Sequence, residues 1–196
     1  MTDLKTFAAS TLELLQQDPR RYVNFGPYWY LVKAVLKKFY TRDNLHLLGD
    51  HVDADVVARM AALGCDEIDI ADTIGVSTPR KTQAVLHAAG HAFPIAQLAG
   101  HFHDTYGQAL VNTLAALQMG VWNFQSSVAG LGGCPYAKGA TGNVATEDVV
   151  YMMQGMGIET GIDLDKLIDA GVFISEALGR KPNSLVSRAV LNKRGA

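Results

Sequence analysis

Between residues 53 and 128 the chain alternates strand-length apolar runs with helix-length amphipathic ones, and this alternation restricts its fold more than any other feature. Strands separated by helices pair in parallel, because a parallel pair needs a long crossover and a helix usually supplies it. Residues 67–72, 98–104 and 122–128 read as the strands. Asp53 or Asp55, Thr78-Pro79 and Gly107 open the intervening helices, and Gly64 and Gly120 close the first and third. Residues 145–150 fit a short fourth strand or the turn into a helix, and a further helix is expected at about 164–178, ahead of a basic end. Polar residues gather at the C-terminal ends of the strands: Asp72, residues 101–104, and the loop after Val128. A (β/α) barrel places its chemistry there. The expected fold is α/β, with three to four parallel βα units, about half of an eight-stranded barrel.

Residues 1–52 have a different character. Leu4, Phe7, Ala8, Leu12, Leu14 and Leu15 make a rough apolar helix face that Asp18-Pro19 ends. Pro27 opens a second helix, with Tyr28, Leu31, Val32, Val35, Leu36 and Phe39 on one face. The expected division is a small helical segment at 1–52 and a half-barrel with C-terminal helices at 53–196. Seventeen basic and 19 acidic side chains leave a net charge of -2, which gives no pull toward nucleic acid or an anionic membrane. No apolar run is long enough to span a bilayer, and the first residues lack the pattern of a secretion signal. Two cysteines in unlike settings, Cys65 and Cys134, argue against a disulfide framework and for the cytoplasm.

Four groups of residues can carry chemistry. In a strand, positions i and i+2 share a face, so His101 and His103 can both point inward and share one cation. The alternative is a pair of satisfied polar residues at a strand end. Residues 130–142 hold five of the chain's glycines and Lys138 around Cys134, which suits either a substrate-accessible thiol or a plain surface loop. Asn143, just past that loop, offers a neutral amide oxygen to a cation or caps the next helix. Two imidazoles and an amide oxygen suit Mn²⁺, and Mg²⁺ where water and substrate oxygens complete the shell. Asp72 is a catalytic carboxylate or a loop cap, and strand periodicity turns it to the face opposite Asp69.

The segments DEIDIADTIGVSTP, LAGHFHDTYGQAL, SSVAGLGGCPYAKGATGNVATEDVVYM and GIETGIDLDKLIDAG resemble 3-hydroxy-3-methylglutaryl-CoA lyases over about residues 53–190. HFHDTYG is shared in looser form by related metal-dependent barrel lyases and synthases, whereas GLGGCPYAKGATGN matches the lyases' own active-site loop. The resemblance implies the C-terminal half of a (β/α)8 barrel. It implies that His101, His103 and Asn143 bind a divalent cation, Mg²⁺ or Mn²⁺. It further implies that Cys134 works in proton transfer, that Asp72 lies near the substrate as an acid or base, and that Glu147 and Asp148 support the site. The substrate would be an acyl-CoA, cleaved by a retro-Claisen step to acetyl-CoA and acetoacetate.

Two departures from the family pattern stand out. The family's first strand carries an Arg-Asp-Gly motif whose Asp binds the metal and whose Arg holds negative charge. Here Arg42-Asp43-Asn44 follows a helical pattern instead. Gln125 also stands where the lyases usually have Asp. The expectation is therefore an incomplete lyase, weakly active or inactive alone, able to self-associate through open barrel edges. The alternative is a non-catalytic fusion or remnant that serves as an interaction module.

Overall fold

The computed structural model describes residues 54–133 and 141–195. Cys134, Arg42 and Asp43 lie outside these residues, as does the whole expected helical segment at 1–52. The elements run α1 (Ala54–Ala62), β1 (Ile68–Asp72), α2 (Pro79–Gly90), β2 (Leu98–Phe102), α3 (Ala109–Gln118), β3 (Asn123–Gln125), α4 (Thr146–Gly155), α5 (Leu164–Ala177) and α6 (Leu185–Arg194). The strands form a parallel sheet in the order β1-β2-β3. The βα alternation read from the sequence is the architecture observed.

The register fixes which residues share a face. His101 pairs with Ala71 on one side and Gln125 on the other, and Ile68 pairs with Leu98. Ile68, Leu98 and Phe102 point to the helices and are buried with Leu86 and Ala89 of α2 and Ala116 and Leu117 of α3. Burying a side chain of this size stabilises the fold by about 1.5–3 kcal/mol. The other face is polar and open: Asp69, Ala71, Asn123 and Gln125 are all exposed. That is the face a closed barrel turns inward.

Two strands are shorter than expected, for one reason. Residues 142–146 lie across the ends of β2 and β3 and take up the backbone groups there. The Val144 amide donates to the Phe102 carbonyl and the Asp104 amide to the Gly142 carbonyl, while Ser127 and Thr146 complete the crossing. Ala145 makes one parallel bridge with Ser127, after which α4 begins at Thr146, so the turn into a helix is the reading that holds. The basic end, in turn, folds as α6. Ser184 accepts from the Ser187 amide, and Asp148 accepts from the Ser184 hydroxyl at 2.8 Å and the Val186 amide at 2.9 Å. Among the described residues no helix is long and apolar enough to cross a membrane. Cys65 is a free thiol, half-buried against the core.

Candidate active site

The site is built from the C-terminal ends of the strands. Asp72 ends β1 by accepting the Val76 amide at 3.1 Å and the Ser77 amide at 2.9 Å, which caps the loop into α2. Gly75 makes the turn with φ +68, and a Cβ there would sit 2.9 Å from the His103 carbonyl oxygen. The β1 loop therefore rests directly on the residue that follows β2.

His101 lies on the open face within β2, and His103 follows just beyond its end. Their rings are 5.1 Å apart between centroids. His101 Nδ1 lies 2.7 Å from Gln125 Oε1, an atom that can only accept. In the neutral ring this contact favours the tautomer with the proton on Nδ1, which leaves the lone pair on Nε2. The Asp69 carboxylate lies 3.8 Å from the same Nδ1. Burial raises the Asp69 pKa above the usual aspartate value, with His101 acting to lower it and Glu67 to raise it.

His103 is buried, and its bridge partner is Asn143. Burial lowers its pKa first, and neighbouring His101 lowers it further. The Thr73 backbone, the Asn143 side chain and the charge of Asp72 act in the opposite direction. The outcome is a neutral imidazole at neutral pH, the form that ligates metals. Asn143 is held by its amide nitrogen, which donates to the Leu131 carbonyl at 2.9 Å. Gly132 leaves room for this side chain, since a Cβ there would come within 2.7 Å of Asn143 Nδ2. Both His103 Nδ1 and Asn143 Oδ1 are buried without a hydrogen-bond partner. Unsatisfied buried polar atoms are uncommon and costly, and with Nδ1 unprotonated a cation would satisfy this pair.

The residues nominated from the sequence thus separate spatially. His101, His103 and Asn143 come together, and Asp72 sits beside them with its oxygens occupied by loop amides. Glu147 and Asp148 turn away from the histidines. Glu147 accepts the Ala129 amide at 2.9 Å, while Asp148 anchors α6. Glu147 still bears on the site through the turn at Val128–Gly130, which leads to the Leu131 carbonyl that orients Asn143. Sequence reasoning missed two contributors. Gln125 was visible only as a departure from the family pattern, and Asp69 only as a strand carboxylate. Only the sheet register pairs Gln125 with His101 and brings the Asp69 carboxylate, which pairs with Ala99, to within 3.8 Å of the same ring.

Among the described residues no three His, Cys, Asp or Glu side chains gather around one point. The available donor set is two imidazoles and one amide oxygen, which are neutral ligands suited to Mn²⁺ or, with added oxygens, Mg²⁺. The pairing of unsatisfied atoms on His103 and Asn143 fits such an ion.

Comparisons with known proteins agree with this fold. The chain is 60% identical over 136 residues to the mitochondrial hydroxymethylglutaryl-CoA lyase of Rattus norvegicus, covering 69% of this chain and 42% of that protein. It is 58% identical to the human enzyme over the same length. The lyase structure from Pseudomonas aeruginosa superposes with a TM-score of 0.69 and 51% identity, over 71% of this chain and 47% of the other. A lyase from Acinetobacter baumannii, solved with coenzyme A and 3-methylmalate, gives a TM-score of 0.65 and 38% identity, over 69% and 44% of the two chains. The chain therefore spans less than half the length of these relatives. The HMGL-like family model matches residues 49–174, and the chain belongs to that family.

Proposed function

We propose that this chain carries the second half of a hydroxymethylglutaryl-CoA lyase active site, with the cation held by His101, His103 and Asn143. The observation that carries the reading is the pair of buried, unpartnered atoms, His103 Nδ1 and Asn143 Oδ1, beside a His101 whose free nitrogen is set by Gln125. When bound, Mg²⁺ or Mn²⁺ would supply charge stabilisation for the substrate's hydroxyl and carbonyl oxygens.

The remaining steps fall to side chains. Asp72 is the proposed base for the tertiary hydroxyl, since its charge faces His103 and a carboxylate that accepts two amides can accept more. Loss of that proton lets the C–C bond break. Its electron pair passes to the carbon α to the thioester and into that carbonyl as an enolate, while the alkoxide oxygen becomes the ketone of the departing acetoacetate. Cys134, in the family's loop, is the proposed donor of the proton that completes acetyl-CoA. The acyl-CoA ligand class is supported by the coenzyme A complex of the Acinetobacter relative. Among the described residues no further strand pairs with the outer edges of β1 and β3, which gives a surface for self-association or for a completing half-barrel. The reducing cytoplasm is the compartment that fits the free thiol of Cys65, although the rat and human relatives are named mitochondrial.

Cation binding tests the site directly. Titrating the chain with Mn²⁺, read by electron paramagnetic resonance of the free ion, should show one site. His103→Ala and Asn143→Ala should each abolish it. Equal binding by both variants would remove these residues from the site. Gln125→Leu leaves the ligands intact but frees the His101 ring to rotate and exchange its proton between nitrogens. Loss of such a supporting hydrogen bond typically costs about 10–100-fold in metal affinity. The same titration should show a loss in that range, with Gln125→Glu retaining most of the binding.

A further inference from the structure

A second histidine pair lies away from the C-terminal ends of the strands. His87 sits in the last turn of α2 and His91 caps it, four residues apart on one exposed stripe. Their Nε2 atoms approach to 3.2 Å, with the rings edge to face at 4.7 Å between centroids. Two Nε2 atoms at that distance cannot both carry a proton comfortably, so at least one lone pair points into the space between them.

We propose that His87 and His91 form a clamp for a borderline divalent cation, Zn²⁺ in the first instance. The geometry fits a tetrahedral ion. With zinc–nitrogen bonds of about 2.0–2.1 Å, a 3.2 Å separation subtends roughly 100–106° at the metal. The helix end favours a cation as well, because the last carbonyls of α2 carry its negative dipole end. The clamp's chemistry differs from that of the His101 site. It offers two imidazoles with no buried amide oxygen, and water would fill the other positions. It is therefore selective against hard ions such as Mg²⁺. It also lies at the end of the sheet where β2 begins, opposite the end that carries His101 and His103. A cation there joins the last turn of α2 to its exit and stiffens the lead into β2.

Isothermal titration with Zn²⁺, in the presence of excess Mg²⁺, tests the clamp on the full chain carrying His101→Ala and His103→Ala. That background removes the other pair, so the result is independent of the lyase reading. One Zn²⁺ should bind, and adding His87→Ala or His91→Ala should weaken it by at least about ten-fold. Because a chelate needs both rings, the two substitutions together should cost no more than either alone. Both histidines are exposed, so the circular dichroism melt without zinc should not move. Unchanged binding in the single variants, or losses that simply add in the double variant, would overturn the clamp.

Discussion

Replacing Glu147 with alanine should lower the unfolding free energy by about 2–4 kcal/mol, measured by urea denaturation. The side chain is fully buried at the start of α4. Its two oxygens accept the Ala129 amide at 2.9 and 3.0 Å. Ala129 is held at φ 55, a conformation that a residue other than glycine keeps only under external constraint. On the far side, a Cβ at Gly171 of α5 would lie 2.6 Å from Glu147 Oε1, so α5 packs directly against the carboxyl group. Alanine at position 147 leaves a cavity, an orphaned amide and an unsupported turn together. Glu147→Gln keeps an acceptor and should cost far less. The unsubstituted chain and Glu147→Gln also separate by pH. Burial is the largest cause of the raised Glu147 pKa, opposed by the backbone amides. The folded value exceeds the unfolded one, so this group's stabilising contribution is present below the unfolded value and is lost as pH rises through the folded value. Glu147→Gln should flatten that fall in stability across weakly acidic pH.

The second large effect concerns turnover. The purified chain should release acetoacetate from 3-hydroxy-3-methylglutaryl-CoA at background rate. His101, His103 and Asn143 are neutral ligands, which offset less of the cost of dehydrating Mg²⁺ or Mn²⁺ than a set containing a carboxylate. The family's first-strand Asp and Arg have no counterpart in the helical pattern around Arg42-Asp43-Asn44. Losing one group that stabilises developing charge costs about 10²–10³ in rate, and on the proposed reading two lack a counterpart in this sequence. The open polar face of Asp69, Ala71 and Gln125 is where a completing half-barrel would pack. A separately expressed N-terminal half of a complete lyase should therefore restore turnover by orders of magnitude.

The sequence made the βα order legible because period-two and helical apolar patterns, punctuated by Gly64, Thr78-Pro79 and Gly120, are local signals. Strand periodicity likewise makes a shared face for His101 and His103 an expectation from sequence; in the structure His103 lies just beyond β2, with the two rings 5.1 Å apart between centroids. What escaped depended on contacts between distant segments. The shortening of β2 and β3 arises from residues 142–146 crossing their ends, and nothing near residue 103 announces that crossing. The α6 helix was hidden behind its basic composition, though Ser184 after Pro182-Asn183 was a usable start signal. Glu147 looked like a support for the ion because it follows Asn143. Its position in the first turn of α4 aims it at Ala129 instead. Gln125 acquires meaning only through the parallel register that places it beside His101.

The central claim is that His101, His103 and Asn143 form the second half of a lyase metal site. It is tested most directly by acetoacetate release with excess Mn²⁺, from the chain alone and mixed with the N-terminal half of a complete lyase, each beside its His103→Ala variant. The account predicts background rate for the chain alone, and turnover in the mixture that His103→Ala abolishes. Turnover in the mixture that survives His103→Ala, or a mixture that stays at background although the two halves associate, would contradict it.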